Sequence, residues 1–542
     1  MKMKHGVIAI TVLMLATSPA LGQHSHHGHH APSPAADKIG QVSFPISCAP
    51  TAQKPFERAV ALLHSFWYLE AVKGFTEVTQ IDPQCAIGYW GIAMSNWTQI
   101  WSPPQPAGLK RGWEAVEKAR AATSKNAKEA DFVAAAEAFF KDADKADHRT
   151  RAAAYSRAME QAYAKYPTDR EVAAFYALSL QAVADPKDKT YAQQKKSAEI
   201  AEKIFAAQPD HPGAAHYIIH AYDYPALAPK GLTAASRYAV FAPAVPHALH
   251  MPSHIYVLLG MWMETVQGNV MAAEAERVRG NPDDHMHAID YLVYGYLQMA
   301  QDADAKRVVD QARAIMSGLA VKNYNSGRPT AHFAMAAVEA RWAMERNRWS
   351  EAAAIDPRPN RFAHTEAMIY FARAIGAART GNAARAKADV DRLAELRDAL
   401  LQAKDAYWAE QVEIQRRGAA AWLARAEGKR DDALAMMRAA AELEDSTEKH
   451  NITPGPIATA RELLGDMLVE SGQPAQAARE YEASLSRAPN RFKTLYGVAR
   501  ASELAGDRDK ARTFYTRLVT VAASSDNQRP ELQQARAFLA KP

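Results

Sequence analysis

From about Pro55 onward the chain alternates long amphipathic stretches, rich in Ala and charged residues, with short polar or glycine-bearing breaks. Apolar positions that share one face every three or four residues belong to helices, and no segment shows the strict alternation of a half-buried strand. The pattern predicts helix after helix joined by tight turns. A longer period overlies it: Gly472, Ala477 and Tyr481 recur as Gly506, Ala511 and Tyr515, each 34 residues on. Gly381 with Ala386 and Gly428 with Ala433 keep the same five-residue offset, and Ala300 with Ala305 and Asn347 with Ala352 keep it after loss of the glycine. Phe66, Ala71, Phe75 and Pro83 fit a degenerate unit near the start. A single helix pair cannot bury its apolar face alone, so such units stack, with Ala admitting close approach and aromatic rings filling the gaps.

In these residues the chain resembles the tetratricopeptide repeat (TPR) family, whose helix–turn–helix unit is 34 residues long. The resemblance covers most of residues 55 to 525, with irregular spacers such as 444–456 (EDSTEKHNITPGP). It implies an all-α helix-turn-helix repeat solenoid, a TPR-like superhelix, in which Gly472 turns between helices, Ala477 and Tyr481 pack the second helix, and Pro489 closes the unit. It also implies a scaffold that binds a peptide or protein partner along its concave groove. The expected organisation is a signal peptide (1–22), a His-rich tail and linker (23–54), N-terminal repeats carrying a histidine cluster (55–320), and C-terminal repeats (321–542). From about Ala367 the repeats become regular and Arg-, Glu- and Ala-rich, with His450 the one histidine beyond that point.

Composition narrows the class. Of 542 residues 48% are hydrophobic and two are Cys, which excludes a disordered chain, a collagen or a disulfide-stapled scaffold as the main architecture. A formal charge of +5 gives no footprint suited to nucleic acid. Lys2 and Lys4, the apolar run from Val7 to Ala16 and the small residues around Ala20-Leu21-Gly22 predict a secretory signal cleaved before Gln23. The run is too short to cross a bilayer, no later stretch approaches the ~18 apolar residues a span needs, and no Cys near the cleavage site indicates a lipid anchor. The expectation is an exported chain, periplasmic in a Gram-negative source, with no transmembrane segment after cleavage. Cys48 and Cys85 either close one loop, as an oxidising compartment allows, or stand as a loose Cys48 and a buried Cys85. His24, His26, His27, His29 and His30 lie among Gly, Ser, Pro and Ala, a composition that cannot build a core and that captures Cu, Zn or Ni with little selectivity.

Thirteen of the 19 histidines lie beyond that tail, and eight of them fall between His211 and His287. His216 and His250 are 34 residues apart, as are His220 and His254, and as are Pro209 and Pro243. The four histidines therefore occupy equivalent positions in two adjacent units. Residues four apart share a helix face, so His216 stacks on His220, with Asp223 on the same stripe. In the family's pattern Ala215, Ile219 and Tyr222 face the stack, while His216, His220 and Asp223 face the groove beside His250 and His254, with His247 close by. His287 follows in the next unit, together with His285, Asp290 and Tyr294. Imidazoles paired on two helices suit copper or zinc, and Met251, Met261, Met263 and Met286 tilt the choice slightly to copper, although Met is also a common core filler. Pro252, between His250 and His254, threatens their helical spacing.

The chain lacks HExxH, CxxC, GxxxxGK[ST] and GxSxG motifs, leaving Glu264 and Asp223 as the candidate bases beside a metal-bound water. Trp67, Trp90, Trp97, Trp101 and Trp113 read as packing rather than a ligand platform. The sequence thus predicts an exported TPR-like scaffold for a protein or peptide partner, holding copper or zinc on His216, His220, Asp223, His247, His250, His254 and His287. The alternatives are a metal-free peptide-binding scaffold and a metal-dependent enzyme; with no recognised catalytic motif, a binding protein is the reading carried forward.

Overall fold

Helices run in succession from Gln53 to Leu539 in the computed structural model, which describes residues 37–322, 326, 328–358, 360–526 and 529–541. The expected signal peptide and the histidines of the tail lie outside the described residues. Among the described residues there is no strand, only an isolated bridge between Cys85 and Ser124, and no helix is long and apolar enough to cross a membrane. The architecture is an all-α, TPR-like solenoid of packed helix pairs.

The repeat signal has a direct structural counterpart. Ala305, Ala352, Ala386, Ala433, Ala477 and Ala511 are all fully buried, because each sits where neighbouring helices approach. Five residues earlier the backbone turns with positive φ at Gly381, Gly428, Gly472 and Gly506, and also at Ala300 (φ 54°) and Asn347 (φ 53°), where the glycine has been lost. A side chain in that region costs roughly 1–2 kcal/mol, so these two units keep the turn at the expense of local strain. Tyr481 fills the space between helices so closely that a Cβ at Gly465 or Gly497 would lie 2.6 Å from its ring. Trp90 and Trp97 are likewise buried in the core, Trp97 stacking on Phe139 at 3.5 Å.

The superhelix brings late repeats against middle ones. Trp262 Nε1 donates to the Asn490 carbonyl at 2.8 Å, Phe492 N donates to Gln298 Oε1 at 2.9 Å, and Arg529 pairs with Asp302 at 2.6 Å. Arg491 is buried in this contact, 2.8 Å from Glu345, 3.2 Å from Glu462 and 2.8 Å from the Tyr294 hydroxyl. A second crossing is made by residues 446–459, between the helices Arg430–Asp445 and Ala460–Glu470. Arg341 accounts for their path: it donates to the carbonyls of Gly455 and Pro456 at 2.6 and 2.9 Å while paired with Asp290 at 3.1 Å. Near the other end, Cys48 and Cys85 form a disulfide with a Cα separation of 5.1 Å, the first of the two alternatives for these residues.

Candidate metal centre

The histidine positions are set by three successive stretches of helix. His216 and His220 lie on Pro212–Ala221, with Asp223 just past its end; His247 and His250 lie on Pro246–His250, His254 on Pro252–Leu259, and His287 on Pro282–Gln298. Pro252 does divide the middle helix, but Met251 between the two pieces stays right-handed helical (φ −54°, ψ −36°). The turn therefore continues through the break, and His250 and His254 face one another with their Nε2 atoms 3.0 Å apart.

All seven expected residues fall in one cluster. Ligand atoms of His216, His220 and His247 lie within 4.8 Å of one another, as do those of His250, His254 and His287, and those of His220, Asp223 and His254 join the two sets. His216, His220, Asp223, His250 and His254 are buried rather than lining an open groove. The Phe66 ring covers His216 at 4.3 Å and Trp101 meets His220 edge-on at 4.7 Å. From the far side of the superhelix Lys449 reaches Asp223 at 2.8 Å.

Burial decides the protonation state. It pushes His216 down to about 3 and His250 down to about 4, and it pushes His220, His247, His254 and His287 well below the usual imidazole range, with neighbouring imidazoles adding to the effect. Neutral imidazole carries one N–H and one lone pair, and is the form that ligates. Neighbouring groups fix which nitrogen carries the proton in three of the six rings. His216 Nδ1 is 2.7 Å from the His64 carbonyl, which only accepts. His254 Nδ1 is 2.8 Å from Asp223 Oδ2. His250 Nδ1 is 2.7 Å from Asn269 Oδ1, whose orientation follows from Asn269 Nδ2 donating to the Thr265 carbonyl.

Nε2 of each of these rings is therefore a lone pair. For His250 and His254 those two lone pairs point at each other across 3.0 Å without a proton between them, an arrangement that a cation relieves. His216 Nε2 lies 3.2 Å from His247 Nε2. Metal–nitrogen bonds of about 2.0 Å place two ligands of a tetrahedral ion about 3.3 Å apart, close to both separations. His220 completes the picture, since neither of its buried ring nitrogens has a hydrogen-bond partner among the described residues. Leaving such groups unsatisfied costs roughly 1–3 kcal/mol.

A fourth group, His64, Glu171 and His211, also gathers possible ligands, but its atoms are spoken for. His211 Nδ1 accepts from Ala214 N at 3.1 Å, so its Nε2 donates to Glu171 at 3.0 Å. His64 lies 2.8 Å from both Glu171 and the Tyr217 hydroxyl. This triad is a saturated buried network, and the His64 backbone carbonyl accepts from His216 Nδ1. Sequence reading missed it, along with Asn269 and Lys449; the length of the 444–456 interruption was the available signal for Lys449.

The remaining candidates disperse. His285 approaches Gln311 at 3.4 Å, Asp290 is committed to Arg341, and the Tyr294 hydroxyl accepts from Arg491. Met251 and Met286 are buried in the core, Met263 is exposed, and Glu264 is also exposed. Beside Lys449 a cavity of about 110 Å³ is lined by Tyr294, His364, Tyr407, Trp408 and His450.

No family model and no curated protein matches the chain. Among solved structures it is similar to one described as the human IFIT1 dimer with m7Gppp-AAAA, at 11% sequence identity and a TM-score of 0.39, over 81% of this chain and 90% of that one.

Proposed function

We propose that the protein is an exported TPR-like scaffold that holds copper or zinc in its buried histidine cluster and offers the rest of its superhelix to a protein or peptide partner. The observation that carries this reading is the pair of facing Nε2 lone pairs on His250 and His254, each set by an Nδ1 hydrogen bond to Asn269 or Asp223. Metal-bound histidines characteristically donate their second nitrogen to a carbonyl or carboxylate in this way. A saturated, metal-free polar groove leaves the bare nitrogens of His220 unexplained. Export is supported by the basic and apolar start of the sequence and by the Cys48–Cys85 disulfide, a bond favoured in oxidising compartments.

The test is elemental analysis of the full chain in which the five tail histidines, which bind metal on their own account, are replaced by Ser. Its companion additionally carries His216, His220, His250 and His254 replaced by Ala and is checked for helicity by circular dichroism. Metal retained by the first and lost from the folded second supports the reading. Absence of metal from the first, after reconstitution with copper and with zinc, contradicts it.

A further inference from the structure

The cluster holds more imidazoles than one tetrahedral ion can use, and they divide along the repeat. His216 and His220, on one helix, are joined by His247 from the next; His250 and His254 are joined by His287 from the one after. Each unit thus contributes an i, i+4 pair and each following unit supplies the third ring. Within the sets the rings are close, with centroids 4.8 and 5.0 Å apart from His216 to His220 and His247, and 5.0 and 4.5 Å apart from His250 to His254 and His287. His254 and His287 are 6.3 Å apart within their set, and the sets approach each other at 5.6 Å from His220 to His254 and 6.0 Å from His247 to His250, so the division rests on the two three-histidine groups whose ligand atoms converge within 4.8 Å.

Charge distinguishes among metals. Six neutral imidazoles bring no compensating charge. The nearby carboxylate, Asp223, accepts from both His254 and Lys449 at Oδ2, with the Lys449 ammonium also 2.8 Å from Oδ1, so its charge is already balanced. Phe66 and Trp101 cover one triad, and the Tyr291 ring lies 4.7 Å from His250 in the other. Two divalent ions would place four positive charges in this apolar enclosure, at a desolvation cost that grows steeply with ionic charge. Two monovalent ions place half as many, and copper is the first-row metal with a stable monovalent state that accepts imidazole in threefold coordination.

We infer that the protein binds two copper(I) ions side by side, one on His216, His220 and His247 and the other on His250, His254 and His287. This rests on the metal-binding reading above and sharpens it in number and oxidation state. Each ion would have three protein ligands, all imidazole nitrogens.

The test is anaerobic titration with copper(I), supplied as its acetonitrile complex and read against a chromophoric chelator, using the full chain with the five tail histidines replaced by Ser. Two ions are expected for this protein, one for His247→Ala, one for His287→Ala and none for the double variant. His247 and His287 are the partly exposed members of their sets, and His247→Gln and His287→Gln, which keep side-chain bulk, check that an Ala result is not a folding defect. One ion in the parent, lost in either single variant, overturns the two-site inference while leaving metal binding intact. No ion in any form, with copper(I) or with zinc sulfate, overturns both. Two zinc ions held as tightly as copper(I) overturn the monovalent assignment.

Discussion

His254 donates from Nδ1 to Asp223 at 2.8 Å, so the nitrogen it turns toward His250 is unprotonated. That one hydrogen bond leaves His254 Nε2 as the lone pair that the proposed metal site needs. Asp223→Ala removes it and frees the ring to take either tautomer. Loss of such an outer partner typically lowers metal affinity about 10–100-fold, and competition against a chelator of known strength reads the change. Unchanged affinity would mean that Asp223 has no part in orienting the ring.

Arg491 tests how the superhelix is closed. It is wholly buried between Glu345 and Glu462 and also bonds the Tyr294 hydroxyl. Arg491→Met leaves buried Glu345 without its counter-charge and Glu462 with only Lys493 at 3.7 Å, a loss of about 3–5 kcal/mol. We expect a lower urea midpoint and a larger radius of gyration in small-angle scattering as residues 490–492 part from 260–298. A compact particle of unchanged midpoint would show that the contact does not hold the turn.

Tyr481 is wedged between Gly465 and Gly497. Gly497→Ala puts a methyl 2.6 Å from that ring, and overpacking of this kind costs about 1–3 kcal/mol. Gly472→Ala meets no atom within 4 Å, so its cost is confined to the left-handed backbone at φ 72°, about 1–2 kcal/mol. Combining Gly497→Ala with Tyr481→Phe, which removes only the hydroxyl, should recover little of the loss, because the clash is with ring carbons. Urea denaturation of the three variants checks this order.

Much of the architecture was readable because a repeat writes the same instruction many times. Ala300 and Asn347 lack the turn glycine yet keep its five-residue offset from Ala305 and Ala352, and both adopt its positive φ. The proximity of His216, His220, His250 and His254 was readable for the same reason, since one register places both pairs. Residues that act once carry no such signal. His64 supplies its carbonyl to His216 from 152 positions away, and Lys449 reaches Asp223 from 226 positions away. Both meetings depend on the accumulated angle between helix pairs, which no local pattern encodes. The histidines expected to face the groove are buried, and the irregular segment 446–459 reaches their cluster through Lys449.

Glu413 gives the chain a defined acid response. Burial alone would raise its pKa, but hydrogen bonds from Arg416, Arg417 and Arg397 outweigh it and hold the carboxyl at about 2, below its ordinary value of 4.5. A depressed folded-state pKa contributes stability that is present above the unfolded value and lost as pH falls through the folded one. Glu413→Gln should therefore be less stable than the parent at pH 6, and the gap should narrow steadily below about pH 4.5. A gap independent of pH between 6 and 3 would show that the three arginines do not act on its charge.

In the proposed site imidazole nitrogens alone hold the metal. X-ray absorption at the copper edge, on the copper(I)-loaded full chain with the five tail histidines replaced by Ser, addresses it directly. The expected spectrum has the edge position of copper(I), a first shell of three nitrogens at about 2.0 Å, and the outer-shell scattering of imidazole rings, all lost when His216, His220, His250 and His254 are replaced by Ala. A first shell dominated by oxygen or sulfur, or an imidazole signal that survives those four replacements, would contradict it.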